Sequence, residues 1–361
     1  MWFLKHLFNI ITKPGRGRRV FVGISGGVDS SVSALLLKLY GYNVTGVFIK
    51  TWQPEWIECT WRDERRDAMR VCAHLEIPFI ELDLEKEYKQ GVADYMIAEY
   101  KKGKTPNPDV MCNREVKFGG FLTWALENKA NYIATGHYAQ NISNSLVKGI
   151  DPAKDQSYFL WTLTTEQLRH VLFPIGHIKK NIVRKLASWY KLPTAVKKDS
   201  QGICFIGEID MKDFLKHYID DQPGNVIDKS GAVIGHHDGV LMYTFGERHG
   251  FTITSKGTDD APYYVIGKDI KKNNLIVSSS PEKKTPLQEI TLIDCVWREL
   301  LQDKKYMVHI RYHGESKPCK VHRDGNNKYI LTLDMSDNTI APGQSMVLYD
   351  DSTCIGGGIV A

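Results

Sequence analysis

The chain has 361 residues, with 47 Lys and Arg against 42 Asp and Glu, a formal net charge of +5. Hydrophobic residues at 42% and charged residues at 25% exclude a disordered, collagenous or coiled-coil chain, and no apolar run approaches the ~18 residues of a membrane span. Five cations (Lys5, Lys13, Arg16, Arg18, Arg19) and no acid fall in residues 1–19; 47 less these five leaves 42, equal to the 42 acids, so bulk charge does not demand a polyanionic partner.

Before Pro14, Trp2, Phe3, Leu4, Leu7, Phe8, Ile10 and Ile11 form an amphipathic stretch, read as a locally packed extension or a targeting segment. From Arg18 strands and helices alternate: strand 18–25, helix 29–39, strand 43–50, helix 62–75, strand 78–84, helices 88–102 and 116–128, and strand 132–137. Alternation of this kind predicts a doubly wound parallel sheet covered on both faces. After about residue 215 glycines punctuate short β-like pieces, and beyond Pro286 short alternating segments (289–296, 306–312, 318–322, 329–333, 345–349) predict a β-barrel. The expected organisation is an extension over 1–17, an α/β catalytic domain over 18–215, a small Gly-rich module over 216–280 and a barrel over 281–361.

Seven cysteines, at 59, 72, 112, 204, 295, 319 and 354, are odd in number, scattered and without a CxxC pair. They predict neither a disulfide scaffold nor a zinc site, but free thiols in a reducing compartment, the cytoplasm.

Ser25-Gly-Gly-Val-Asp-Ser-Ser31 lies between the first strand and the first helix. Its glycines let backbone approach an anion, and N–H groups at a helix start attract phosphate. With no Gly-Lys-Ser/Thr following, no lysine is placed to reach a γ-phosphate, so this is not a Walker A loop. The motif resembles the pyrophosphatase loop of the N-type ATP pyrophosphatases, which adenylate an oxygen of their substrate.

Two cysteines stand in chemically suggestive settings. Thr105-Pro-Asn-Pro-Asp-Val-Met-Cys112 is a rigid turn running into a helix, with Asp109 or Asn113 as the expected cap and Arg114 and Lys117 nearby. A helix start and flanking cations lower a thiol pKa. Lys197-Lys-Asp-Ser-Gln-Gly-Ile-Cys204 offers the second thiol. The combination of SGGVDSS, TPNPDxxCNxxxKF, ATGHY and DSxGICFIG resembles the family of tRNA-specific 2-thiouridylases from about residue 18 to the end.

That resemblance implies an adenine nucleotide alpha hydrolase-like domain using ATP and Mg²⁺. It carries over an ATP site at Gly23, Ile24, Ser25, Gly26, Gly27, Val28, Asp29, Ser30, Ile49 and Gly136. It implies tRNA contacts at Asn107, Pro108, Asp109, Lys154, Asp155, Gln156, Arg311 and Tyr312, and a tRNA-binding central module. Cys112 would be the nucleophile, Cys204 the persulfide carrier and Asp109 the general acid/base. It also implies a Cys112–Cys204 disulfide in one route, a persulfide-donating sulfurtransferase or cysteine desulfurase as partner, and a monomer without a resident metal. Iron–sulfur ligation by Asp109, Cys112 and Cys204 is a variant mechanism. Another pyrophosphatase-loop ligase, or an RNA-binding protein with a relic loop, would leave the two thiols unexplained. The Trp52–Trp61 loop departs from the family pattern and reads as a packed aromatic loop or an RNA-stacking surface.

Overall fold

The computed structural model describes residue 6 and residues 9–57, 61–199, 210–220, 222–254, 261–279, 285–325 and 328–361. The expected β/α alternation forms around β1 (Arg19–Gly23), α1 (Val28–Leu39), β2 (Asn43–Lys50), α2 (Trp61–His74), β3 (Phe79–Asp83) and β4 (Tyr132–Ala134). With the short β7 (Val171–Leu172) these strands form one parallel sheet in the order β3-β2-β1-β4-β7.

Period-two alternation splits the strand residues between two cores. Val20, Val22, Val44 and Phe48 face one side, where α1, α2 and α3 (Lys180–Trp189) bring Val32, Leu36, Val71, Cys72, Val183 and Leu186. Phe21, Val47, Ile49 and Ile133 face the other side, against Tyr88, Met96, Val116, Phe118 and Phe121. Both faces are covered, so the strands read as near-continuous apolar runs.

The two helices predicted on that second side are each interrupted by a wide, π-type stretch. One runs Glu85–Tyr88, Lys89–Asp94 and Tyr95–Lys101; the other runs Pro108–Met111, Cys112–Gly120 and Phe121–Glu127. The second helix therefore begins eight residues earlier than its apolar pattern suggested. Its cap is neither Asp109 nor Asn113 but Asn107, whose side-chain oxygen accepts from the Val110 N–H at 3.2 Å. Pro108 at the first helical position fits this start, since a proline there sacrifices no intrahelical bond.

A hairpin of β5 (Ala139–Ile142) and β6 (Ser145–Lys148) leaves the α/β sheet. The middle sheet comprises β8 (Gly224–Ile227), β9 (Val233–His237), β10 (Phe251–Ile253), β11 (Tyr264–Asp269) and β12 (Asn274–Ser278), in the order β10-β9-β8-β12-β11. The C-terminal strands are β13 (Pro286–Trp297), β14 (Tyr306–His309), β15 (Ser316–Arg323), β16 (Tyr329–Met335), β17 (Ser345–Asp350) and β18 (Thr353–Val360). Pairing of β13 with both β16 and β18 closes them into a six-stranded barrel.

The barrel is bound to the α/β domain in two ways. Hairpin strand β6 extends the barrel sheet through Thr353 and Val147. Strand β17 is buried on both faces: Met346 and Leu348 point into the barrel core, while Val347 and Tyr349 join the core of the α/β domain. That same core continues into the middle module through Phe214, Leu215, Tyr243 and Leu275.

Two described residues of the extension, His6 and Ile10, meet the α/β domain. His6 Nδ1 hydrogen-bonds the Tyr40 hydroxyl at 2.9 Å, and Ile10 lies against the first core. Among the described residues, no helix is long and apolar enough to cross a membrane.

Candidate active site at the sheet switch point

In the strand order β3-β2-β1-β4-β7 the direction of winding reverses between β1 and β4, the position where open α/β sheets bind ligands. Gly23 ends β1 there, and Gly136 follows β4. The loop from Ser25 to Ser31 leads directly into α1, whose N-cap Gly27 offers no side chain to satisfy the first N–H groups. Those donors and the helix dipole are therefore available to an anion. Gly26 has φ +72°, and a Cβ on it would sit 2.6 Å from the Glu64 carbonyl oxygen of α2. Glycine is thus required twice over, by conformation and by space. Ser30 Oγ accepts from the Ser25 N–H at 3.3 Å and donates to the Gly27 carbonyl at 3.2 Å, which folds the loop on itself.

The β4 end closes on the same loop. A Cβ on Gly136 would lie 2.7 Å from the Ser30 backbone nitrogen and 3.1 Å from Asp29 Cβ. The following Tyr138 donates its hydroxyl proton to Asp29 Oδ1 at 2.7 Å, and burial with that carboxylate pushes the phenol pKa far up. His137 is buried and hydrogen-bonded to the Thr135 hydroxyl at 2.8 Å, and burial with the Lys117 charge lowers its pKa well below 6.5. A Cβ on Gly23 would lie 3.9 Å from Ile49 Cδ1 and 3.6 Å from Phe121 Cε1, so these three residues share one wall. Ile24 and Val28 are buried in the core beneath the loop.

Cys112 opens the wide stretch of the neighbouring helix and is completely buried. Its N–H bonds to the Pro108 and Asp109 carbonyls, so it sits at the end of the first turn, within reach of the positive end of the dipole. Asp109, one turn earlier, is half-buried. Single-turn π bulges recur at functional sites because they re-aim one side chain.

The turn before this helix is where the three parts of the chain meet. The Thr105 N–H donates to the Pro342 carbonyl of the barrel at 2.8 Å, and its hydroxyl pairs with Thr244 of the middle module at 3.0 Å. Asn113 donates to the Phe159 carbonyl at 3.1 Å. Phe159 in turn packs on Tyr312 of the barrel, with ring centroids 4.4 Å apart.

Several residues assigned to tRNA by resemblance already have partners inside the protein. Asp155 accepts from the Gly149 and Ser157 N–H groups at 2.8 and 3.1 Å. Gln156 accepts from the Tyr138 N–H at 3.0 Å. Arg311 donates to the Phe245 and Thr339 carbonyls at 2.6 and 2.7 Å, clamping middle module and barrel together. Lys154 pairs with Asp199 at 2.9 Å. Pro108 and Asn107 shape the helix start. The structure thus brings Asn107, Pro108, Asp109, Cys112 and Tyr312 to one junction, while Gly23–Ser30 and Gly136 meet at the ends of β1 and β4. Cys204 lies outside the described residues, as does Cys59.

Sequence reading missed the charged ring behind the loop. Lys180 Nζ lies 2.8 Å from both Asp29 oxygens and 2.9 Å from Asp199 Oδ1. Asp199 also pairs with Arg184. Burial acts to raise the Asp199 pKa, but the ammonium groups of Lys180 and Lys154 outweigh it and hold the carboxyl far below its ordinary range. No spacing rule links residues 29, 154, 180 and 199, and nothing in the sequence marks Lys180 as buried. In the Trp loop, Trp56 stacks on His217, with centroids 3.7 Å apart, and donates to the Tyr218 hydroxyl at 3.3 Å.

Among the described residues, no group of three or more His, Cys, Asp or Glu side chains is arranged to hold a metal ion. A glycine-serine loop at the switch point of a parallel sheet, with a buried cysteine on the adjoining helix, defines a nucleotide-binding α/β domain of the HUP type joined to a barrel. Three family models match in series: a tRNA methyl transferase HUP domain over 18–208, a tRNA methyl transferase PRC-barrel domain over 212–279 and an aminomethyltransferase beta-barrel domain over 287–360. The chain is 44% identical over 354 residues to the tRNA-specific 2-thiouridylase MnmA of Lysinibacillus sphaericus (strain C3-41), covering 95% of this chain and 94% of that one. It is 43% identical over 355 residues to the protein of the same name from Francisella tularensis subsp. holarctica (strain FTNF002-00 / FTA), covering 95% and 99%. Among solved structures, it is similar to the U34-tRNA thiolase NcsA from Methanococcus maripaludis at 19% identity and a TM-score of 0.37, covering 60% of this chain and 71% of that one. The chain belongs to the family of tRNA-specific 2-thiouridylases.

Proposed function

We propose that this protein performs ATP-dependent 2-thiolation of the wobble uridine of tRNA. The observation that carries this reading is family membership at 44% identity over 95% of the chain, combined with an intact Ser25–Ser31 loop at the start of α1. The loop from Gly23 to Ser30, with Gly136, receives the phosphates of ATP, and Ile49 packs on the adenine. The uridine O2 attacks the α-phosphorus, pyrophosphate leaves, and the base carries AMP on O2, which activates C2.

A persulfide-donating sulfurtransferase or cysteine desulfurase loads Cys204 with a second sulfur. The Cys112 thiolate attacks the inner sulfur of that persulfide and expels hydrosulfide, forming a Cys112–Cys204 disulfide. Hydrosulfide adds to C2, AMP departs with the original oxygen, and a thiol reductant returns two electrons to the disulfide. Direct attack by the persulfide is the other route to the same product. Asp109 carries the proton as general acid/base. Asn107, Pro108, Lys154, Asp155, Gln156, Arg311 and Tyr312 bind or position tRNA, and localised basic strips meet its phosphates. A magnesium ion is compatible with the single carboxylate of Asp29, since this ion is held by one or two carboxylates plus substrate phosphates. When bound, it neutralises the leaving pyrophosphate. The protein works as a monomer in the cytoplasm.

The test is mass spectrometry of tRNA nucleosides after incubation with ATP, Mg²⁺ and a persulfide source. 2-Thiouridine should form, and should vanish when ATP is omitted. Formation without ATP, or a methylated uridine formed from a methyl donor instead, would overturn the reading.

A further inference from the structure

The loop Ser25–Ser31 contains no lysine, yet the fold delivers one from 151 residues away. Lys180 opens α3, and its own N–H is fixed by Asp151 Oδ2 at 2.9 Å. Its side chain is only 11% exposed, and its ammonium meets both oxygens of Asp29 in the first turn of α1. A buried ammonium is costly unless paired, so this group is held here by its partners. Those partners are unequally committed. Asp29 receives Lys180 and the Tyr138 hydroxyl. Asp199 receives Lys180, Lys154 and Arg184, three cations on one carboxylate. With Asp151 at the Lys180 N–H, three carboxylates (Asp29, Asp151, Asp199) meet three cations (Lys154, Lys180, Arg184), and the Lys180 ammonium is the cation set against the first turn of α1, where the loop N–H groups also favour an anion.

We propose that Lys180 binds the terminal phosphates of the nucleotide, with Asp199 as the positioning residue that holds its ammonium in place. This deepens the adenylation reading and rests on it. On nucleotide binding the ammonium exchanges an Asp29 oxygen for a phosphate oxygen. Lys180 thus supplies from α3 the charge that a P-loop lysine supplies from within its own loop.

The test is equilibrium dialysis of the full-length chain with ATP, inorganic pyrophosphate and AMP, without tRNA, for wild type, Lys180→Gln, Lys180→Arg and Asp199→Asn. Lys180→Gln should weaken ATP and pyrophosphate by about 10- to 100-fold, the worth of one charge-assisted hydrogen bond, and leave AMP within about twofold. Lys180→Arg should recover most of that loss, and Asp199→Asn should fall between. Unchanged ATP affinity in Lys180→Gln, or an equal loss for ATP and AMP, overturns the proposal. Should Lys180→Gln fail to fold by circular dichroism, Asp199→Asn decides, because ATP affinity unchanged from wild type overturns it equally. If wild type itself binds no ATP, the adenylation reading fails and takes this inference with it. If wild type binds and the variants match it, only the role of Lys180 fails.

Discussion

The side-chain amide of Asn113 donates to the backbone carbonyl of Phe159 at 3.1 Å, linking the helix that carries Cys112 to the turn on which Tyr312 of the barrel rests. Asn113 is 3% exposed and Phe159 half-buried, so the bond is partly shielded from water. Its loss removes one hydrogen bond from a half-buried carbonyl, at about 1 kcal/mol. Asn113→Ala should lower the melting midpoint by several degrees and raise the KM for tRNA more than the KM for ATP. Equal changes in both constants would deny the link between Cys112's helix and the barrel.

Single Cys112→Ala and Cys204→Ala variants should bind tRNA normally and form no 2-thiouridine. Full activity in either would sink the sulfur-transfer scheme. Since Cys112 is fully buried, its alkylation by iodoacetamide should be slow in the free protein and accelerate when tRNA is bound. A rate that tRNA leaves untouched would mean that the thiol is not uncovered by substrate.

Gly136 backs against α1 so closely that even one methyl group would collide with the Ser30 nitrogen, 2.7 Å away. Gly136→Ala should therefore displace the loop and weaken ATP binding by at least about tenfold, with tRNA affinity preserved. The readout is the ratio of the two dissociation constants, and a ratio equal to that of wild type would contradict the packing argument.

His309 sits at the seam between β6 and the barrel, 3.2 Å from Lys148 Nζ and edge-on to the Tyr349 ring. Burial lowers its pKa below 6.5 and Lys148 lowers it further, against smaller upward contributions from the Gly314 backbone and Asp155. With the folded pKa depressed, the unfolded chain takes up the proton first. Stability is complete above about pH 6.5 and is lost as pH falls from there toward the folded value. His137 acts in the same direction. The melting midpoint should be flat above neutrality and decline toward pH 5.5, and His309→Gln should flatten part of that decline. An identical slope in the variant would remove His309 from the account.

Deleting residues 1–17 removes three of the five N-terminal cations but also the His6–Tyr40 bond and the packing of Ile10. The truncated chain should melt lower yet thiolate tRNA with an unchanged salt dependence. A shallower salt slope would show that the extension's charge contacts RNA.

The β/α alternation, the barrel and the glycine-serine turn into α1 were legible because each depends on local chemistry. Strand runs such as Val20–Val22, the Gly26–Gly27 turn and the short alternating segments after Pro286 are decided by neighbours within a few residues. Three features were not legible. Strand β18 reads poorly because Gly356, Gly357 and Gly358 dilute its pattern, yet a Cβ on Gly357 would lie 3.1 Å from Trp161 of the α/β domain, a contact with no trace in the sequence. The helix from Pro108 was read late because its first turn has Asn107 as cap and little apolar periodicity. The hairpin of β5 and β6 gains its meaning only by pairing with β18.

The sequence by itself determined the family and the glycine-serine turn between β1 and α1, since these reside in contiguous residues whose backbone and side-chain chemistry is recognisable wherever they fold. Only the tertiary structure decided which charges stand behind that loop. Lys180, Asp199 and Lys154 come from separate segments, and the bridge that Lys180 makes between Asp29 and Asp199 follows from α3 docking beside α1, a long-range packing choice that no local pattern encodes.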